Sequence, residues 1–199
     1  TFLVKNNKIS DEWNSLNVMS NDASTVGSFD LGIYKNINNE NEILKNLQHN
    51  IYEVVYLLGV DNLNFNKKKE FVIYQGSHGD QGADLADIIL PGAAYTEQDG
   101  HYTNLEGVIQ KAYKASYPPG EAKEDWIIIN ELSKYLISKN LYETKESLEK
   151  SMANYLNLYK SKIGTLNKIN NNFVKEKIII KNIDYYYSNA IARASKTMS

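Results

Sequence analysis

The stretch Gly76-Ser77-His78-Gly79-Asp80-Gln81-Gly82 gathers the residue types best suited to chemistry in this chain. It follows the apolar run Phe71 to Tyr74 (FVIY), and the backbone N–H groups of a glycine loop after a strand can cradle a phosphate. Its spacing is G-x-x-G-x-x-G, not the dinucleotide fingerprint G-x-G-x-x-G, and no G-x-x-x-x-G-K-S/T occurs. A structural turn is the simpler reading. His78, Asp80, Asp84 and Asp87 are metal-ligand types close in sequence. A loop followed by a helix does not bring them to one point, so surface loop chemistry is the simpler expectation. Glu97 and Glu106 could serve as general acid and base, but nothing in the sequence sets a catalytic separation between them. His49 and His101 stand alone, and no G-x-S-x-G elbow accompanies the available Ser and His. Lys67-Lys68-Lys69 reads as a solvated turn before a strand.

Composition narrows the function classes. The 199 residues suit one domain, or one domain with an extension. A hydrophobic share of 42% can build a core, and a net charge of −2 does not point to nucleic acid. There is no cysteine, which excludes disulfides and thiolate zinc sites. It also excludes iron–sulfur clusters held by Cys thiolates. No apolar run approaches the roughly 20 residues that span a bilayer. The chain begins at Thr1 with no initiator Met or signal-like segment, so a trimmed or missing start is expected. Asn, Lys, Ile and Tyr abound, and Arg193 is the sole arginine. AT-rich codons give such usage, and a biased genome and an organelle gene both remain open.

These residues need elements to position them. Ser10 can cap a helix carrying Trp13, Leu16 and Met19, and Asp30-Leu31-Gly32 reads as a stop. Ile43, Leu44 and Leu47 mark a second short helix. Glu53 to Leu58 closed by Gly59, Phe71 to Tyr74 closed by Gly76, and Ile88-Ile89-Leu90 before Pro91 suggest buried parallel strands. Pro91 must end its strand or lie on an edge. After Pro118-Pro119-Gly120 the pattern turns helical, first from Asp125 to Leu136 and then along Leu148, Met152, Tyr155, Leu156, Tyr159 and Ile163. Lys177 to Ile183 reads as a late strand, and the tail can start a last helix near Ser188 or Asn189. The expected class is α/β, a Rossmann-like partial parallel sheet with flanking helices over residues 1–137. A helical extension, late strand and C-terminal tail follow over 138–199.

Tyr74-Gln75-Gly76, His78-Gly79-Asp80, Gly82-Ala83, the run Ala86 to Glu97 (ADIILPGAAYTE), Tyr102, Asn104, Glu106-Gly107 and Gln110 carry a family resemblance. They resemble the C-terminal region of the large iron–sulfur subunits of respiratory complex I, which have a molybdopterin-oxidoreductase-like fold. Pro118-Pro119-Gly120 with Glu124-Asp125-Trp126 is similar to the segment that follows in that family. Trp13, Leu16 and Ala23 to Gly32 resemble its preceding helix, and Asp184-Tyr185-Tyr186, Ile191, Arg193-Ala194-Ser195 and Thr197-Met198 its closing helix. The likeness is weak from Ser138 to Lys177. Two departures stand out: Val108 replaces the family's Arg after Glu-Gly, and His101 replaces a Thr. Losing that Arg removes a natural partner for a pyrophosphate.

The resemblance implies a non-cluster-bearing, structural part of the large subunit in the peripheral matrix arm of a mitochondrial NADH:ubiquinone reductase. It implies no catalytic residue and no cofactor in this chain, with iron–sulfur clusters on a companion N-terminal chain and FMN in a neighbouring subunit. It implies protein partners within that arm, no nucleic acid and no direct membrane span. Tyr185, Tyr186, Tyr187 and Arg193 are the expected interface residues, since Tyr suits a contact that buries the ring and keeps the hydroxyl polar. Two rival readings are a fragment of an active molybdopterin-dependent oxidoreductase and a free-standing nucleotide-binding domain.

Overall fold

The computed structural model describes residues 6–7, 20, 22–23, 25–33, 40–60, 62–63, 65–160, 186–187 and 189–197. The expected Ser10–Met19 helix, the late strand at Lys177–Ile183 and Tyr185 lie outside the described residues. In chain order the elements are α1 (Thr25–Asp30), α2 (Glu40–Gln48), β1 (Val54–Leu58), β2 (Phe71–Gly76), α3 (Gln81–Asp84) and β3 (Ile88–Pro91). Then come β4 (Gly100–Thr103), β5 (Ile109–Ala112), α4 (Asp125–Ile137), α5 (Lys145–Lys160) and α6 (Ala190–Ala194). Helix α1 stops as the sequence suggests, with Gly32 at φ 71° and its N–H bonded to the Phe29 carbonyl. Helix α6 begins after Asn189, whose side chain accepts from the Ala192 N–H at 2.9 Å.

Strands β1, β2 and β3 pair in parallel, in that order, with Val54 beside Phe71 and Ile73 beside Ile88. Alternation then fixes two faces. Val55, Leu57, Val72 and Tyr74 share the inner face. There Leu47 of α2, Phe65 of the β1–β2 connection, and Ala83, Leu85 and Ala86 around α3 pack with them. Val72 is fully buried and Tyr74 nearly so. The Tyr74 hydroxyl donates to the His78 carbonyl, which satisfies its polar end and folds the glycine loop back over the strand.

The parallel pairing matches the sequence reading, but the expected burial does not hold across the sheet. On the outer face Val54, Phe71 and Ile88 remain 44–59% exposed, whereas parallel strands are ordinarily covered on both faces. The cause is local: both crossovers and α2 lie on the inner face. On the outer face α4 meets the carboxyl end of β2 through Gln75 and Asp125. Pro91 sits at the end of an edge strand, where its missing N–H costs no ladder bond.

The antiparallel pair β4–β5 was not anticipated. Gly100 pairs with Ala112 and Thr103 with Ile109. Its turn is built by Asn104, whose side-chain oxygen accepts from the Glu106 and Val108 N–H groups at 3.0 and 2.9 Å. Gly107 supplies φ 81°, which a side chain resists. An Asn followed three residues later by Gly, between two short alternating runs, was the available signal.

A methyl group on Gly76 would overlap the Tyr74 phenol. Gly76→Ala is therefore expected to destabilise by roughly 1–3 kcal/mol through overpacking. Gly107→Ala meets open space and costs only its backbone preference, about 1 kcal/mol. Equilibrium urea unfolding of the two variants checks the order, and a smaller loss at Gly76 would show that the phenol yields without cost.

Candidate functional site

The carboxyl ends of parallel strands are where an open α/β sheet binds ligands. In this chain that position is filled by a polar cluster. Gln75, fully buried at the end of β2, accepts from the Tyr56 hydroxyl and donates to Asp125 Oδ1 at 2.7 Å. Gln98 donates to Asp125 Oδ2 at 2.9 Å and accepts from the Asp125 N–H at 3.2 Å. The carboxylate thus stands between two amides at the first residue of α4, where the helix dipole favours negative charge. Burial raises the Tyr56 phenol above its ordinary 10.0, and the Asp125 charge adds to it, so Tyr56 is held as a donor.

A second cluster lies beside it. Burial works against the Glu124 carboxylate, yet hydrogen bonds from Lys145, Lys114 and Trp126 hold it below its ordinary 4.5. Lys145 Nζ lies 2.6 Å and Lys114 Nζ 3.2 Å from its two oxygens. Lys145 also donates to the Asp99 carbonyl at 3.2 Å. Asp99 in turn accepts from the Lys114 N–H at 2.7 Å, which keeps its carboxyl low. These bonds, with the Lys111–Glu149 pair at 3.0 Å, fasten α5 to β5 and to the start of α4.

The acidic and histidine residues singled out in the sequence disperse. Asp87 pairs with Lys67 at 2.7 Å and accepts from the Val72 N–H at 2.8 Å. Those contacts, Lys67 first, hold its carboxyl below the ordinary value. Asp80 accepts from the Gln81 N–H to cap α3 and lies 3.6 Å from Arg193 Nε. His78 Nδ1 meets Ser77 Oγ at 3.0 Å, and Asp84 is exposed on α3. Among the described residues no group of three or more His, Asp or Glu could hold a metal ion. Glu97 accepts from the Ala94 N–H and closes a turn, while Glu106 is exposed at the hairpin tip. His49 bonds the Lys45 carbonyl, and His101 is exposed on β4.

Of the four interface residues expected from the sequence, Tyr186 is 76% exposed. Tyr187 is half-buried, with its carbonyl accepting from Arg193 Nη1 at 2.9 Å. Arg193, itself half-buried, joins α6 to the glycine loop through Asp80. Sequence reasoning passed over a broader apolar surface: Tyr135 and Leu136 at the end of α4 are 88% and 73% exposed. The exposed side chains of Val54, Phe71 and Ile88 on the outer sheet face add to it. Consecutive Tyr-Leu-Ile at 135–137 on one helix was the signal, since not all three can face a single core.

A three-strand parallel sheet with helices packed on it defines an α/β domain. Residues 1–135 match the family model for molybdopterin oxidoreductases, and the chain belongs to that family. It is 41% identical to an NADH-quinone oxidoreductase subunit of Rickettsia bellii over 98% of this chain. Identity to the NADH-ubiquinone oxidoreductase 75 kDa subunit of Reclinomonas americana is 40% over 94%. It is 36% to the mitochondrial NADH-ubiquinone oxidoreductase 78 kDa subunit of Candida albicans over 96%. The chain spans 28% of the length of each of these relatives.

The family's name implies a phosphate-bearing pterin, which asks for N–H groups or free cations at the strand ends. This chain places the Asp125 carboxylate there, 3.0 Å from where a Gly92 Cβ would stand. Lys114 and Lys145 are committed to Glu124. The residues present do not fit that group.

Two outcomes follow. Asp125→Ala removes the carboxylate and leaves the Gln75 amide only the long bond to the residue 125 carbonyl (3.4 Å) and the Gln98 amide only the Ala93 carbonyl (3.3 Å), a loss of about 1–3 kcal/mol. Combined with Gln75→Ala it should show coupling of roughly 0.5–3 kcal/mol in a double-mutant unfolding cycle; additive losses would mean the cluster does not act as a unit. Because the folded state lowers the Glu124 carboxyl, its stabilisation is complete above pH 4.5 and fades as pH falls below that value. Glu124→Gln should therefore flatten acid unfolding in that range, measured as urea midpoint against pH.

Proposed function

We propose that this chain is a structural, non-cluster-bearing portion of the large iron–sulfur subunit in the peripheral arm of respiratory complex I, which passes electrons from NADH to ubiquinone. One observation carries the reading. Subunits of NADH-quinone and NADH-ubiquinone oxidoreductases align with 94–98% of this chain while the chain covers 28% of their length. Their names also favour this reading over a fragment of an active molybdopterin enzyme.

In this role the chain completes an α/β domain whose remainder lies on a companion polypeptide, and it catalyses no step itself. Iron–sulfur clusters sit on the companion, since the chain has no thiolate to offer, and FMN sits in a neighbouring subunit. The matrix side of the mitochondrial inner membrane is the expected location. Mitochondrial relatives support it. No helix among the described residues is long and apolar enough to cross a membrane, so attachment runs through protein partners. Tyr185, Tyr186, Tyr187 and Arg193 contribute contacts at the tail.

Native purification through a tag on this chain tests the reading. Recovery of a large assembly that holds a cysteine-rich iron–sulfur chain and an NADH-oxidising flavoprotein is the expected result. A folded, solitary monomer would overturn it.

A further inference from the structure

The start of α5 is closed by its own residues. The Thr144 hydroxyl accepts from the Ser147 N–H at 3.2 Å. The Ser147 hydroxyl accepts from the Thr144 N–H at 3.3 Å and donates to the Thr144 carbonyl at 2.7 Å. A cap of this kind satisfies groups that a helix end otherwise leaves unpaired. The turn before it belongs to α4. Asn130 accepts from the Leu141 and Tyr142 N–H groups at 2.8 and 3.0 Å and donates to the Tyr142 carbonyl at 2.8 Å. The Ser133 hydroxyl, buried on α4, lies 2.8 Å from the Lys139 carbonyl. The extension expected from residue 138 therefore begins as part of the domain. The chain passes from one self-contained unit to the next at Glu143 and Thr144.

Beyond that joint, the bonds that fasten α5 are chiefly ionic. Lys145 Nζ meets Glu124 Oε2 at 2.6 Å and the Asp99 carbonyl at 3.2 Å, with Asp99 Oδ2 at 3.8 Å. Glu149 takes Lys111 Nζ at 3.0 Å. Lys145 and Glu149 stand four residues apart, so one face of the helix carries both anchors. A neutral bond, from the Tyr142 hydroxyl to Ser151 Oγ at 3.2 Å, crosses the joint. Leu148 and Met152 are half-buried. None of the residues of α5 whose burial is described is fully buried, and none joins the cluster around Leu57 and Val72. Ion pairs near a surface contribute modestly and weaken as salt screens them.

We propose that α5 is a hinged arm held by an ionic latch. It swings about Glu143 and Thr144 when Lys145 and Glu149 leave their partners, while the sheet, α4 and the Asn130 turn stay folded. A cation that competes for Glu124, or an anion that competes for Lys111, acts on the latch as salt does. The arm keeps its own cap when it opens, so it swings as a helix end and not as an unravelled loop.

Amide hydrogen exchange of the full-length chain, with whatever purifies beside it, tests the latch at about 0.05 M and about 0.5 M salt. Peptides that cover α5 should exchange roughly three- to thirtyfold faster at the higher salt, because a single helix of this length is marginal in water. Peptides from β2 should not change. Salt also weakens charge pairs inside the helix, so the double variant Glu124→Gln, Lys111→Met removes the latch from outside α5. At low salt it should reproduce the fast exchange, and added salt should then change little. Equal exchange of α5 at both salts overturns the latch. So does a salt response that persists in the double variant, which would assign the effect to the helix alone. Acceleration of β2 together with α5 overturns the hinge, since the whole domain would then be loosening.

Discussion

The amide of Gln75 governs the arrangement of this chain. It lies fully buried at the end of the central strand, where an unpaired polar group is costly. Its oxygen takes the Tyr56 hydroxyl from the neighbouring strand, and its nitrogen takes the Asp125 carboxylate from α4. That one side chain therefore sets where the helix begins relative to the sheet. Gln98 then closes the second carboxylate oxygen and bonds the Ala93 carbonyl at 3.3 Å, carrying the restraint into the loop after β3. Glu124, one residue before Asp125, gathers Lys114 and Lys145 and ties in the hairpin and α5. The chain's polar order spreads outward from a residue that could have been aliphatic, had the helix not needed a fixed origin.

The strands were legible because their signals are local. Glu53 to Leu58 closed by Gly59 and Phe71 to Tyr74 closed by Gly76 read as short runs, and Gly59 at φ 64° shows why Gly stands there. Asp30-Leu31-Gly32, the acidic start of α4 and Asn189 before α6 were equally plain, since caps act within a few residues. The hairpin was hidden because its turn depends on one Asn side chain. The site was hardly legible at all. Gln75 meets Asp125 across 50 positions, and no spacing rule reaches that far. Conversely, His78, Asp80, Asp84 and Asp87 look concentrated on paper, but the turn after β2 sends them to separate partners.

Exposure along the sheet follows from the same topology. Three strands laid down in sequence order, with the connections on one face, bury that face over β1 and β2 and leave Val54, Phe71 and Ile88 on the other exposed. A sheet of this kind alone would present edges and apolar rows to solvent, which favours aggregation over solubility. The net charge of −2 is small protection. The exposed end of α4 extends the argument away from the sheet. Tyr135 and Leu136 lie beside Ser138, whose left-handed φ of 57° ends the helix. Asn130 then holds the following turn through the Leu141 and Tyr142 N–H groups at 2.8 and 3.0 Å. A turn fixed this firmly keeps the apolar residues in place instead of letting them fold inward.

The glycine loop shows how a shape suited to phosphate can serve a structural end. Phosphate would need N–H groups and positive charge at Ser77 to Gly82. The loop instead spends the His78 carbonyl on the Tyr74 phenol and the Gln81 N–H on Asp80. Asp80 brings a negative charge to the mouth of the turn, and the chain's sole arginine, Arg193, comes to within 3.6 Å of it from the C-terminal helix. The cation that a ligand would require is thus supplied by the protein to its own carboxylate. A guanidinium so placed orients α6, and with it Tyr186 and Tyr187, against the carboxyl end of the sheet. The loop joins the tail to the domain through a tight turn and one carboxylate.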